Sequence, residues 1–81
     1  MDIIQDLNKV FREVFNNPEI NVTSETTSND ISGWDSFSHI NLITAIEIYF
    51  DIEFTQTEAL SFNTVDDMIQ SIINKVNTKK R

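Results

Sequence analysis

Asp30-Ile31-Ser32-Gly33-Trp34-Asp35-Ser36-Phe37-Ser38-His39-Ile40-Asn41-Leu42 is the stretch whose reading decides the fold of this chain. Up to Asp35 the run is polar and non-periodic. From Ser36 onward apolar residues crowd together: Phe37, Ile40, Leu42, Ile43, Ala45, Ile46, Ile48, Tyr49 and Phe50. An Asp-Ser pair at such a boundary reads as a helix start, because a side-chain oxygen there accepts a hydrogen bond from a free backbone N–H. The predicted helix spans about 36–50. Leu42, Ile43, Ile46 and Phe50 make its core face. Phe37, Ile40 and Ile48 cannot all join that face, so the helix is buried on several sides or offers a contact surface. The same boundary puts the Ser36 hydroxyl at an exposed helix N-terminus, open to a modifying enzyme. Free N–H groups and the positive end of the helix dipole favour a phosphate at that position.

Working outward, Ile3, Leu7, Val10 and Val14 recur at helical spacing, widened by Ile4, Phe11 and Phe15. This predicts an amphipathic helix over about 2–16, with Lys9, Arg12 and Glu13 off the stripe. Asn16-Asn17-Pro18 stops it, since the residue before a proline is pushed out of the α region. Pro18 to Asp35 is loop, longer than the roughly 12–15 residues beyond which unstructured connections become uncommon. It must therefore be tied down or functional, and Ile20, Val22, Ile31 and Trp34 are its candidate anchors. After Asp51-Ile52-Glu53-Phe54 comes a short helix over about 56–61, opened by Thr55 or Thr57. Phe54, Leu60 and Phe62 are expected to plug the core there. Thr64 caps a last helix over about 65–77, with Asp66 and Asp67 at its positive end and Val65, Met68, Ile69, Ile72, Ile73 and Val76 as its stripe. The expected fold is all-α: a small up-and-down-like bundle of three main helices plus one short helix, with a long loop between helices 1 and 2. Residues 1–81 are expected to form a single domain.

Composition narrows the function. Eighty-one residues bury only roughly 60–65% of their unfolded surface, which leaves little room for a deep enzyme cleft. The absence of cysteine excludes disulfides and thiolate metal sites, and the single histidine, His39, excludes a His-rich one. A net charge of -7 disfavours nucleic acid and favours basic protein surfaces. The basic run Lys79-Lys80-Arg81 is expected to be a frayed, solvated tail. The N-terminus lacks the basic and apolar regions of a signal peptide, and no apolar run approaches a membrane span. A cytoplasmic, monomeric protein is expected.

Two other constellations are weaker. His39 lies one helical turn beyond Ser36, but a Ser-His dyad needs an orienting group and an oxyanion hole that so short a chain hardly supplies. His39 is read instead as an ordinary surface histidine. Setting Gly33 at position six of a calcium loop puts Ser28, Asp30 and Ser32 at one, three and five but His39 at twelve, where a glutamate is required. No metal site is expected, with only weak divalent binding by clustered carboxylates left open.

Gly33-Trp34-Asp35-Ser36-Phe37-Ser38-His39-Ile40-Asn41-Leu42 resembles the phosphopantetheine attachment motif of acyl carrier proteins, which centres on Asp-Ser-Leu, here Asp35-Ser36-Phe37. The likeness continues through Ala45-Ile46-Glu47 and Tyr49 to Phe54, and resumes at Phe62 to Ile69, like the family's last helix. The resemblance implies that Ser36 receives a 4'-phosphopantetheine arm from coenzyme A. A separate phosphopantetheinyl transferase would supply Mg²⁺ and the base. The arm's thiol would carry an acyl group as a thioester, which suits a chain without cysteine. Asp35 would support the transferase's metal or the arm. Phe37, Ile40 and Thr44 would meet acyl-loading and acyl-accepting enzymes, while Glu47, Asp51 and Glu53 would pair with basic patches on them. The protein would be a carrier, not an enzyme.

Fatty-acid-synthesis members of that family carry more acidic residues early in the second helix, where this chain has Ser38, His39 and Asn41. With Trp34, these positions look more like stand-alone carriers of surface-polysaccharide, lipid-modifying or secondary-metabolite routes. Phe50, Phe54 and Phe62 would narrow an acyl pocket, so short or polar cargo is expected. The alternative is an acidic helical adaptor with an unmodified Ser36, suggested by the apolar surplus on helix 2.

Overall fold

Four α-helices make up a computed structural model that describes residues 2–79: α1 (Ile3–Val14), α2 (Ser36–Phe50), α3 (Gln56–Leu60) and α4 (Val65–Lys79). There is no strand among the described residues. This is the expected all-α bundle, with three main helices and one short one. Apart from the backbone of Lys79, the basic Lys79-Lys80-Arg81 tail lies outside the described residues.

Helix ends shift from their expected places for local reasons. Asp2 stands outside α1 as its cap, its Oδ1 accepting from the Gln5 N–H at 3.2 Å. At the other end Asn16 adopts φ +50°. The N–H groups of Asn16 and Asn17 fold back onto the carbonyls of Glu13 and Arg12. This Schellman ending closes α1 at Val14, two residues before the asparagines. α2 ends the same way, with Asp51 at φ +57° and the Ile52 N–H on the Glu47 carbonyl at 3.0 Å. α3 stops at Leu60 and α4 runs on to Lys79, two residues past its expected end.

The core forms where the stripes meet. Leu7, Val10 and Phe11 of α1 face Leu42 and Ile46 of α2, and Val65, Met68 and Ile72 of α4 complete the cluster. The expected core face of α2 is the observed one: Leu42, Ile43, Ile46 and Phe50 are buried, while Phe37, Ile40, Ile48 and Tyr49 are exposed. Leu60 departs from its expected role as a core plug and is 71% exposed. Phe54 and Phe62, the other two expected plugs, do pack against the core, edge to face with centroids 5.3 Å apart.

The long loop is bound to the helices along much of its length. Ile20 and Val22 are buried, and Ile31 and Trp34 pack against the core. Asn8 projects from α1 into this loop. Its Oδ1 accepts the Val22 N–H at 2.6 Å, and its Nδ2 donates to the carbonyls of Val22 and Ile4. Arg12 Nε donates to the Ile20 carbonyl at 2.7 Å. Further on, the carbonyls of Thr26 and Ser24 accept the N–H groups of Val65 and Asp66 at 2.9 Å each. The loop thus satisfies two donors that the start of α4 would otherwise leave unpaired. Thr64 and Asp67 exchange bonds there as a capping pair. A single 3-10 turn, Ser28–Asp30, lies inside the loop, with the Asp30 carboxylate accepting the Thr27 N–H.

Candidate functional site

The turn into α2 is fixed by its own polar atoms. Asp35 is the N-cap: its Oδ1 accepts the Ser38 N–H at 2.9 Å, and its carbonyl accepts the His39 N–H at 2.8 Å. Ser38 Oγ donates back to the Gly33 carbonyl at 2.6 Å. Gly33 has φ +90°, a conformation that side-chain-bearing residues rarely adopt. The Ser38 N–H bond holds the Asp35 carboxyl below its ordinary value, outweighing the opposing effect of desolvation. Ser36 is then the first residue of the helix proper. It is exposed, and its hydroxyl has no hydrogen-bond partner among the described residues.

His39 departs from its expected place on the surface and is half-buried. Trp34 Nε1–H donates to its Nδ1 at 3.1 Å, and the two rings stack 6.0 Å apart. Since Nδ1 accepts, Nε2 carries the proton and donates to the Ala59 carbonyl at 2.7 Å. Both ring nitrogens are therefore occupied, and neither is free to act as a base for Ser36. Trp34 continues inward onto Phe11, edge to face at 5.3 Å, which makes it the expected loop anchor.

A cleft of about 410 Å³ opens beside Ser36. Its lining includes Trp34, His39 and Ile40 from the start of α2 and just before it, Leu60 and Phe62 from the end of α3 and just beyond it, and Met68 of α4. Of the three aromatics expected to narrow it, Phe62 lines it and Phe54 backs Phe62, whereas Phe50 belongs to the core cluster.

An acyl carrier protein from Buchnera aphidicola subsp. Acyrthosiphon pisum (strain 5A) is 40% identical over 67 residues, covering 76% of this chain and 82% of the relative. The chain belongs to the acyl carrier protein family. The solution structure of a holo acyl carrier protein from Geobacter metallireducens superimposes with a TM-score of 0.89 at 37% identity, covering 98% of this chain and 91% of that one. No family model matches the chain.

On this carrier-family fold, Phe37, Ile40 and Thr44 are all exposed at spacings of three and four residues, so they share one face of α2. Phe37 is 82% exposed and Ile40 63%, a large apolar step beside Ser36. The acidic residues differ among themselves. Glu53 and Asp51 are exposed. Glu47 is half-buried, and its Oε2 accepts the Phe54 N–H at 2.8 Å, so its carboxylate braces the turn after α2. Asn8 and His39 are the positioning residues that sequence reasoning missed. Asn8 had a signal: it is a polar residue inside the apolar stripe, four residues after Ile4 and three before Phe11. Among the described residues no group of His, Cys, Asp or Glu is arranged to hold a metal ion, and no helix is long and apolar enough to cross a membrane.

Proposed function

We propose that Ser36 bears a 4'-phosphopantetheine arm and that this carrier presents an acyl or related group, held on the arm as a thioester, to the enzymes of a biosynthetic pathway. The observation that carries this reading is the Ser36 hydroxyl itself: exposed, without a partner among the described residues, and set on the first residue of a helix whose cap is fully engaged. The residues present fit the group. A phosphodiester at the start of α2 meets the positive end of a 15-residue helix. The Geobacter relative, solved in its holo form, supports the same assignment. The chain has no cysteine, so the working thiol is the arm's own.

In the attachment step the Ser36 oxygen displaces adenosine 3',5'-bisphosphate from coenzyme A. One P–O bond forms, one breaks, and the hydroxyl proton passes to a base on the phosphopantetheinyl transferase, which also supplies Mg²⁺. Asp35 orients Ser36 by capping the helix, and its exposed carboxylate supports the transferase's cation. Phe37, Ile40 and Thr44 form the apolar part of the partner surface, with Asp51 and Glu53 meeting basic patches at the far end of α2. Glu47 contributes through the turn it braces. The protein acts as a cytoplasmic, monomeric single domain and catalyses nothing itself. Ser38 and His39, which stand where fatty-acid-synthesis carriers have acidic residues, are both spent on internal hydrogen bonds. That supports a specialised carrier over a general fatty-acid one.

The test is the intact mass after incubation with coenzyme A, Mg²⁺ and a promiscuous transferase, with Ser36→Ala alongside. A gain of one phosphopantetheine in the wild type alone is the expected result. No gain, from a folded sample and a transferase active on a control carrier, overturns it in favour of an acidic helical adaptor with an unmodified Ser36.

A further inference from the structure

The segment α3 is held by little. It is five residues long and none of them is buried. Its own capping pair, Thr55 with Glu58, is internal. Among the described residues two polar contacts join it to the other helices: the Glu58–Lys75 ion pair at 3.0 Å on the α4 side, and the His39 Nε2–H bond to the Ala59 carbonyl on the α2 side. The first is between partly solvated side chains and adds little. The second uses a carbonyl in the last turn of α3, where no later helical N–H is available to donate to it. It is also the better positioned of the two, because Trp34 fixes the imidazole from its other side by stacking and by the bond to Nδ1.

This bond lies at the cleft beside Ser36. His39 lines the cleft from α2, and Ala59 directly precedes Leu60, which lines it from α3. Of the two contacts that hold α3, this hydrogen bond is the one that lies at the cleft. We propose that His39 is a positioning residue that clasps α3 to α2 and so determines how long a carried chain the cleft admits. With the clasp closed, a short or polar group on the arm lies at the mouth and a long chain stays outside. Releasing the clasp lets α3 swing outward, at the small free-energy cost expected of an element with no buried residue. The inference about cargo rests on the carrier reading of Ser36; the clasp itself does not.

Two substitutions separate the two bonds. In His39→Gln the terminal amide nitrogen reaches about as far as Nε2 and keeps the donor to Ala59. In His39→Asn the shorter side chain keeps an acceptor near Nδ1 for Trp34 and loses Ala59. Amide hydrogen exchange over residues 56–61 of the unloaded protein tests the clasp. Exchange about fivefold faster in His39→Asn, with His39→Gln within about twofold of the wild type, is expected from the loss of one ordinary hydrogen bond. Equal exchange in all three proteins overturns it, and so does equal acceleration in both variants, which is what a purely space-filling histidine would give. If His39→Asn does not fold, the nitrogen-15 spectrum of the wild-type imidazole at about pH 8 decides: the Nε2–H tautomer is expected, and the Nδ1–H tautomer refutes the clasp.

The cargo arm compares acetyl and octanoyl groups loaded on the wild type and on His39→Asn. Octanoyl should raise the Tm above acetyl only in the variant. The same response in both proteins removes the role in chain-length selection. A wild type that cannot be loaded at all defeats the carrier reading and with it this cargo role, while the exchange experiment still decides the clasp.

Discussion

Removing the Asn8 side chain should be among the most damaging polar substitutions in this protein. Asn8 is 6% exposed and makes three hydrogen bonds through its amide. The Ile4 carbonyl keeps a helical partner when the amide is lost. The N–H and C=O of Val22 do not, and Val22 is only 1% exposed. Each buried backbone group left unpaired costs about 1–3 kcal/mol, less where water can enter. Asn8→Ala should therefore cost about 2–4 kcal/mol. A chain of 81 residues has about 4–12 kcal/mol of total stability at the usual 0.05–0.15 kcal/mol per residue. The loss is thus between about a sixth of the total and nearly all of it. Urea unfolding followed by the fluorescence of the single tryptophan, Trp34, measures it directly. The midpoint should fall with the slope unchanged, because the folded state keeps its surface. Asn8→Asp should be no better at neutral pH, since it keeps an acceptor for the Val22 N–H but sets a carboxylate against two carbonyl oxygens. A cost under about 1 kcal/mol for Asn8→Ala would show that the loop holds its place without this bond, and the account of how the loop is pinned would fail.

Two further substitutions probe the turn at Ser36. Gly33 has φ +90° and no atom within 4 Å of where a Cβ would stand, so Gly33→Ala should cost about 1–2 kcal/mol through backbone strain alone; a neutral result in urea unfolding would contradict the strain. The Asp35 carboxyl is held below its ordinary value of 3.8, chiefly by the Ser38 N–H. The stabilisation it gives is complete above that value and fades as pH falls through the lower folded-state value. Asp35→Asn keeps a capping oxygen but does not titrate there, so the Tm difference between wild type and variant should shrink on acidification below the ordinary range. A difference that stays constant across that interval would mean that the carboxylate charge contributes nothing to the cap.

The parts of the fold that follow from periodicity were legible in the sequence. Leu7, Val10 and Phe11 on α1 and Leu42, Ile46 and Phe50 on α2 declare their faces, because a helix repeats every 3.6 residues whatever it packs against. The position of the Ser36 hydroxyl was legible for a related reason: capping chemistry is local, and Asp35 satisfies it within three residues. What escaped the reading depends on partners far apart in sequence. His39 meets Ala59 twenty residues on, and Asn8 meets Val22 fourteen residues on. No local pattern announces either pairing. Leu60 misled because its hydrophobicity suggested burial, whereas a helix as short as α3 turns too few side chains inward to bury them all. Glu47 was read by its charge, yet its carboxylate serves the backbone of its own chain at Phe54.

These features divide the protein into a firm part and a yielding part, and the division falls where a carrier would need it. The start of α2 is locked by the Asp35–Ser38–Gly33 bonds and by Trp34 resting on Phe11. Every one of these contacts fixes the turn from which the Ser36 hydroxyl projects, and none consumes that hydroxyl. A partner enzyme then meets a preformed turn and spends no binding free energy on ordering it. Across the cleft, α3 has no buried residue and two polar attachments. Opening it leaves the cluster of Leu7, Phe11, Leu42, Ile46, Val65 and Ile72 untouched, because none of those residues lies on α3. Rigidity and compliance are thus separable: a substitution at Trp34 should disturb how the hydroxyl is presented, one that severs Ala59 should disturb only what the cleft admits, and His39 is the residue through which the two are joined.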